Sequence, residues 1–295
     1  MCSPEVLARV NSAIRRGGGT RIDRRRLLGA SGAIAATGML TPVLARAQDA
    51  TPVPEAATPV ATGASISFSK VASLSYSNSP ATPVWPGNPV FEAETVVTIE
   101  NDGFYANVLT FHEHTGTHID APAHFFADGA TAGEIAPASL VAPLAIIDIT
   151  AQTEANVDYA LTVDDILAWE SEYGPLPEGA IVAMYSGWGA RFDDAEAFVN
   201  QDADGVMHYP GFSPDASAFL VAERVINGIA SDTLSQDPGN STDFRTHVNI
   251  LGAGLYGIEG IANLDTVPAS GAWVTVGAPN HANASGGPAR ILALY

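Results

Sequence analysis

The stretch His112-Glu113-His114-Thr115-Gly116-Thr117-His118-Ile119-Asp120-Ala121-Pro122-Ala123-His124 carries four of the seven histidines in a chain of 295 residues. On a helix, His114 and His118 would share a face, but Asp120 would turn away and Pro122 would break the hydrogen-bond ladder. On a strand, His114, Gly116, His118, Asp120 and His124 have one parity and face one way. Gly116 in that series leaves room for an ion or a close backbone. The stretch therefore reads as a strand running into a loop, with imidazole and carboxylate groups on one side. Such donors suit a hard-to-borderline divalent cation. His114, His118 and Asp120 can converge on one ion and leave coordination positions open, as a catalytic site requires. A lone histidine would be read as a surface or capping residue; four within thirteen residues, spaced by Gly and Pro, would not. His112 shares the parity but nothing else marks it, and it is assigned to solvent or to a place behind the ligands.

Outward from this stretch the chain reads as mixed α and β. Residues 92–99 and 104–111 are predicted strands flanking Asn101-Asp102-Gly103, a hairpin-turn signal. Further strands are predicted at 65–68, 71–76, 144–149, 180–185, 228–231, 257–261, 273–276 and 289–294. Thr162, with Asp165 three residues on, opens a helix to about residue 172 that Gly174 and Pro175 end. A short helix is placed at 194–199. Ser213-Pro214 opens another, to about residue 226, and Ser241 or Thr242 caps one that runs to Leu251 and closes at Gly252. Helices alternate with strands only after residue 160. The pattern predicts a single α/β domain over residues 65–295, a mixed sheet with flanking helices and no internal boundary.

Hydrophobic residues make up 46% of the chain and charged residues 15%, which describes a globular protein with a large core. The net charge of −19 is unevenly spread: residues 1–47 hold eight of the thirteen Lys and Arg, and from residue 48 onward five basic residues face thirty acidic ones. That balance excludes binding of nucleic acid or an anionic membrane through a basic patch. Solubility is the simplest account of the acidity. The one cysteine is Cys2, so the body has no disulfide, thiolate ligand or cysteine nucleophile. Arg24-Arg25-Arg26-Leu27-Leu28 resembles a twin-arginine export signal. It leads into an apolar run ending at Leu44 and then Ala45-Arg46-Ala47, an A-x-A cleavage pattern. The run is borderline in length for a membrane span and poor in Leu, Ile and Phe. Residues 1–47 are therefore read as a removed signal, with no stable membrane anchor after processing. The long stretch before the arginines points to a later start codon. Residues 48–64 repeat Ala-Thr-Pro-Val and read as an extended linker.

The ligands missing from the first stretch should come from farther along. The remaining histidines are His208, His247 and His281. His247 falls in the last turns of a predicted helix. Glu259 lies in the apolar, Gly-rich run Tyr256 to Leu264, where an unpaired carboxylate is costly to bury; metal ligation would resolve that cost.

His114-Thr115-Gly116-Thr117-His118-Ile119-Asp120-Ala121-Pro122-Ala123-His124 resembles the H-x-G-T-H-x-D-x-P-x-H motif of the cyclase family of metal-dependent hydrolases, which includes bacterial kynurenine formamidases and isatin hydrolases. Every fixed position of the motif is present. Four further pieces follow in the family's order. Thr82 to Gly87 resembles its early Pro-Gly segment, and Ser186-Gly187-Trp188 its T-G-W segment with Ser in place of Thr. Ser231 to Gly239 resembles its D-T-x-S-x-D-x-G segment, and His247 and Glu259 match its late His and Glu. The resemblance spans about residues 68–295. It implies a swivelling β/β/α fold, assembled as a homodimer or higher homo-oligomer, with zinc or manganese bound as one ion or two. His114, His118 and Asp120 would hold the first ion, and Asp120, His247 and Glu259 a second. His124 would be the catalytic acid/base, moving a proton from activated water to the leaving nitrogen. Trp85, Phe125 and Trp188 are candidates for an aromatic substrate pocket, with core packing as the competing account of each.

These readings point to an exported metal-dependent amidohydrolase whose partner is a small-molecule formamide or cyclic amide, arylformamidase-like or isatin hydrolase-like. A lactone or ester hydrolase with the same site is one alternative. A non-catalytic exported protein that binds metal or a small molecule is another; His124 argues against it, because a pure metal binder needs no acid/base beside an open ion. A serine hydrolase is disfavoured by the lack of G-x-S-x-G. Export sits poorly with the breakdown of formylkynurenine inside cells.

Overall fold

The structure is a computed structural model, and it describes residues 65–295; the proposed signal and linker lie outside the described residues. The strands are β1 (Val71–Ser73), β2 (Glu92–Val97), β3 (Ala106–Thr110), β4 (His118–Asp120), β5 (Val141–Asp148), β6 (Ala160–Leu161) and β7 (Ala180–Tyr185), then β8 (Gly211–Phe212), β9 (Ile226–Ser231), β10 (Tyr256–Glu259), β11 (Ala272–Gly277), β12 (Gly286–Pro288) and β13 (Arg290–Leu294). The helices are α1 (Ile99–Asp102), α2 (Thr150–Ala155), α3 (Val163–Tyr173), α4 (Ala195–Val199), α5 (Pro214–Glu223) and α6 (Arg245–Gly252). Among the described residues no helix is long and apolar enough to cross a membrane.

One mixed sheet of nine strands organises the larger unit, in the order β1-β13-β11-β5-β7-β9-β10-β4-β12. Its centre, β5-β7-β9-β10, is parallel, and the strands on both flanks run antiparallel. The sequence explains the centre. Ala180-Ile181-Val182-Ala183-Met184 is apolar at every position, as a strand covered on both faces must be. Alternate residues then go to opposite cores. Ala145, Ile147, Val182, Met184 and Ile229 pack under α3, α5 and α6 through Ile166, Leu220 and Ile250. Leu144, Ile146, Ile181, Ala183 and Ala230 pack on the other face with Leu74, Ile119, Val274 and Ile291.

The Thr162 prediction is met in full. The Thr162 hydroxyl accepts from the Asp165 amide and the Asp165 carboxylate accepts from the Thr162 amide, so α3 opens on a complete capping box. Four expectations fail for local reasons. Residues 65–68 form no strand; regular pairing starts at β1, whose three residues match β13. Helix α5 stops at Glu223, because Ile226 already belongs to β9. Ser241 and Thr242 do not cap α6, which begins three residues later behind Phe244. The fourth concerns residues 93–110, which group as a compact unit of their own. There β2 and β3 pair, but Asn101-Asp102-Gly103 makes no tight hairpin turn. Thr98 caps the Asn101 amide, Asp102 accepts from the Thr98 amide, and the resulting single helical turn ends on left-handed Gly103.

Candidate metal centre

The register of β4 assembles the site. It runs antiparallel to β10, which places His118 opposite Glu259 and Asp120 opposite Gly257. Glu259 ends a parallel strand, and the carboxyl ends of such strands are where open α/β sheets bind ligands. Of the strand expected to run into a loop here, three residues are regular. His114 precedes them in a loop, and His124 follows them at the end of a single turn that Pro122 opens. Gly116 makes the entry possible: its φ is +62°, and a Cβ there would lie 2.1 Å from Asn78 Oδ1. Thr117 ties the entry down, donating to the Gly260 carbonyl at 2.6 Å and accepting from the Tyr76 amide at 3.0 Å.

Three imidazoles surround the fully buried Asp120. Each has one ring nitrogen engaged away from the centre. His118 Nδ1 donates to the Gly116 carbonyl at 2.9 Å, and His247 Nδ1 donates to Asp237 Oδ2 at 2.5 Å. His114 Nε2 meets the Ser285 hydroxyl at 2.9 Å. The other nitrogens turn inward. His114 Nδ1 lies 2.6 Å from Asp120 Oδ1; His118 Nε2 lies 3.3 Å from that oxygen and 3.2 Å from Glu259 Oε2. His247 Nε2 lies 3.3 Å from Asp120 Oδ2 and 3.1 Å from Glu259 Oε1. With the outer nitrogens protonated, the inner ones are lone pairs facing carboxylate oxygens. His118 Nε2 is buried beside two of those oxygens yet forms no hydrogen bond of proper geometry. Lone pairs and anions converging on one point call for a cation, and fixed outer hydrogen bonds of this kind are how metal-binding histidines are oriented. The residues therefore fit a divalent ion, and the all-N,O donor set suits a hard-to-borderline one.

The electrostatics agree. Burial alone would push His118 down, but the negative charges of Asp120 and Glu259 beside its inner nitrogen hold it up at about 10. His247 is likewise raised, against its burial, by Asp120, Asp237 and Glu259. Asp120 is held well below the usual carboxylate range, despite burial, by the charge of His118 and by the three imidazoles turned toward it. Without a cation the site draws in protons to balance Asp120 and Glu259.

Two sets of donor atoms lie within ligating reach of one another: His114, His118 and Asp120, and then Asp120, His124 and His247. His124 thus stands at the centre's edge as well as at the cleft. Its ring stacks on His114 with centroids 4.0 Å apart. It is open to solvent by area yet crowded by protein on its other sides. That crowding, outweighing the pull of Asp120, pushes it down to about 4, so the imidazole is neutral at physiological pH.

A cavity of about 300 Å³ opens over these residues. Trp85 and Phe125 line it, as expected for a pocket, together with Phe192, Phe198, Leu234 and Phe244. Trp188 does not. It is 1% exposed, packs against Tyr209 and donates its indole N–H to the Phe198 carbonyl, so it is core and not pocket. His112, the expected bystander, also lines the cavity and accepts from the His114 amide at 3.2 Å.

Comparison with known proteins follows the same line. The family profile Cyclase matches residues 72–238. An isatin hydrolase of Roseibium aggregatum is 34% identical over 217 residues, 70% of this chain and 81% of that protein. The chain belongs to the cyclase family. A kynurenine formamidase of Salinibacter ruber is 27% identical over 198 residues, 66% of this chain and 83% of its own. The solved structure of isatin hydrolase A from Ralstonia solanacearum superposes with a TM-score of 0.73 at 36% identity, covering 76% of this chain and 91% of that one. The catalytic class of this cyclase-family chain is that of its relatives, a hydrolase of amide carbon–nitrogen bonds. What reading the family motif residue by residue missed is the layer that holds the ligands. Asp237 carries His247, Ser285 carries His114, and Glu113 in turn accepts from the Ser285 and Gly286 amides at 2.9 and 3.3 Å. Asp237 was visible inside the Ser231 to Gly239 segment, but without a role. Ser285 lies 171 residues from its partner, and nothing local marks it.

Proposed function

We propose that the protein is an exported metal-dependent amidohydrolase that opens a neutral aryl cyclic amide, with His114, His118, Asp120, His247 and Glu259 as its metal ligands. The observation that carries the substrate class is the cavity: aromatic and aliphatic side chains beside the ligand cluster, and no Lys or Arg among the described lining residues. A free amino-acid substrate such as formylkynurenine presents an α-carboxylate that would be desolvated there without a cationic partner. A flat uncharged ring would not.

A divalent cation held by these ligands, zinc or manganese, supplies Lewis acidity for the carbonyl and acidifies water. The chain's own residues do the rest. Asp120 and Glu259 are committed to the ligand cluster, and Asp120 is far too acidic to serve as a base at neutral pH. His124 is neutral, half free and adjacent, so it accepts the proton as water adds to the carbonyl carbon. It delivers that proton to the nitrogen as the C–N bond breaks, leaving an amine and a carboxylic acid that then loses its own proton to solvent. Trp85, Phe125 and Phe244 hold the ring and keep bulk water off the reacting carbonyl. The twin-arginine-like signal at residues 24–28 supports export, and the family resemblance supports a homo-oligomer.

The test is a hydrolysis screen of metal-loaded protein against isatin, oxindoles, formanilides, N-formylkynurenine, lactones and aryl esters. Aryl cyclic amides should turn over best, and His124→Gln should keep the bound metal while losing at least about 100-fold in rate. Preferred turnover of N-formylkynurenine would overturn the substrate class, and turnover of nothing would favour a binding protein.

A further inference from the structure

We propose that Phe244 is a specificity-determining residue, the wall that makes the cavity select an aryl ring; this rests on the reading of the site as an amide-binding cleft. Its backbone is left-handed, with φ 49° and ψ 43°. Among the described residues four non-glycine positions have positive φ: Asn200, Asn263, Asn283 and Phe244. Asparagine tolerates that region; a bulky aromatic does not. The strain is not forced by the helix it precedes. Ser241, Thr242 and Asp243 are each better N-cap residues, and the chain passes all three before α6 begins. Asp237 performs the capping instead, accepting from the Thr246 amide at 2.8 Å and the His247 amide at 3.1 Å. Ser241 Oγ accepts from the Phe244 amide at 3.2 Å and fixes the strained turn.

Core packing does not explain the residue either. Phe244 is half-buried and belongs to none of the three buried clusters. Its ring faces the cavity, with centroids 6.1 Å from Trp85, 6.1 Å from Phe125 and 6.0 Å from His247. A strained backbone whose capping duty is taken over by another residue, holding a ring between two aromatics and a candidate ligand, is strain kept at a site of use. Aromatic rings at this spacing offer a flat ring edge-to-face contacts that an aliphatic ring cannot match.

The experiment compares binding of oxindole and 2-pyrrolidinone, one cyclic amide with and without a fused benzene ring, to the metal-loaded protein by calorimetry. The wild type should prefer oxindole. Phe244→Gly suits the left-handed backbone and should keep its melting temperature and metal content. Its preference for oxindole should shrink about tenfold, through weaker oxindole binding alone. Phe244→Leu keeps apolar bulk without the ring and should show the same shift; it decides the matter if the glycine variant does not fold. An unchanged ratio in a folded variant, or equal weakening of both ligands, overturns the inference, as does a wild type without preference. Failure of aryl amides to turn over while this ratio behaves as stated would strike the proposed reaction and leave Phe244 in its role.

Discussion

At the scale of single residues, Asp237 does more for the centre than any side chain outside the ligand set. One carboxylate accepts from the Thr246 amide, the His247 amide and His247 Nδ1. It therefore caps α6, favoured by the positive end of the helix, and fixes which nitrogen of His247 faces Glu259 and Asp120. Asp237→Asn keeps the shape but replaces an anion with an amide whose oxygen is a weaker acceptor. Metal affinity should fall about 10- to 100-fold, and stability by about 1–3 kcal/mol, the range for losing charge-assisted hydrogen bonds in a buried place. Ser285→Ala, which removes only a neutral partner of His114, should cost less on both counts. Metal titration and thermal melting of the two variants check the order, and Asp237→Asn binding metal like the wild type would show that His247 needs no anchor.

Secondary-structure elements were legible in the sequence where local chemistry decides them. Strand β7 falls at the predicted residues because its run is apolar at every position, as a central strand covered on both faces requires, and α3 opens where its own Thr162 and Asp165 close a capping box. What the sequence hid was set from a distance. The start of α6 depends on Asp237, eight residues upstream, and the inward turn of Trp188 depends on the Phe198 carbonyl. The candidate ligand positions were readable from the family motif, whereas the outer partners that turn one nitrogen of each ring inward were not. Glycine supplies a test at this scale. Gly116 and Gly254 both have positive φ, +62° and +77°, but a Cβ at 116 meets Asn78 at 2.1 Å and one at 254 meets nothing within 4 Å. Gly254→Ala should therefore cost only the left-handed penalty, about 1–2 kcal/mol. Gly116→Ala should cost clearly more, and should also weaken metal binding, because the Gly116 carbonyl holds His118 Nδ1. Equal melting temperatures for the two variants would mean that the turn at 116 is not tight.

For the whole molecule, the question is what balances the buried carboxylates of Asp120 and Glu259 in a protein already so acidic. In the metal-loaded state the cation does. In the metal-free state the protons on His118 and His247 must, and this makes the stability of the fold depend on pH. The sign follows from linkage. His118 is held up at about 10 in the folded protein, against 6.5 for a free histidine. Its contribution is fully present below pH 6.5 and is lost as pH rises towards 10; the raised His247 acts in the same direction. Metal-free protein should thus melt at least about 5 °C lower at pH 9 than at pH 6.5, since about 1 kcal/mol moves a domain of this size by about 2–4 °C. Metal-loaded protein should show little of that slope, because the cation has replaced the protons. General repulsion among the acidic side chains cannot imitate the effect, because exposed carboxylates are already ionised by pH 6.5. Raising the salt to about 0.15 M shortens the screening length to about 8 Å. It should therefore lift both melting curves while leaving the difference between their pH slopes in place. Parallel slopes with and without metal would show that Asp120 and Glu259 are balanced by something other than the ion and the histidines around it.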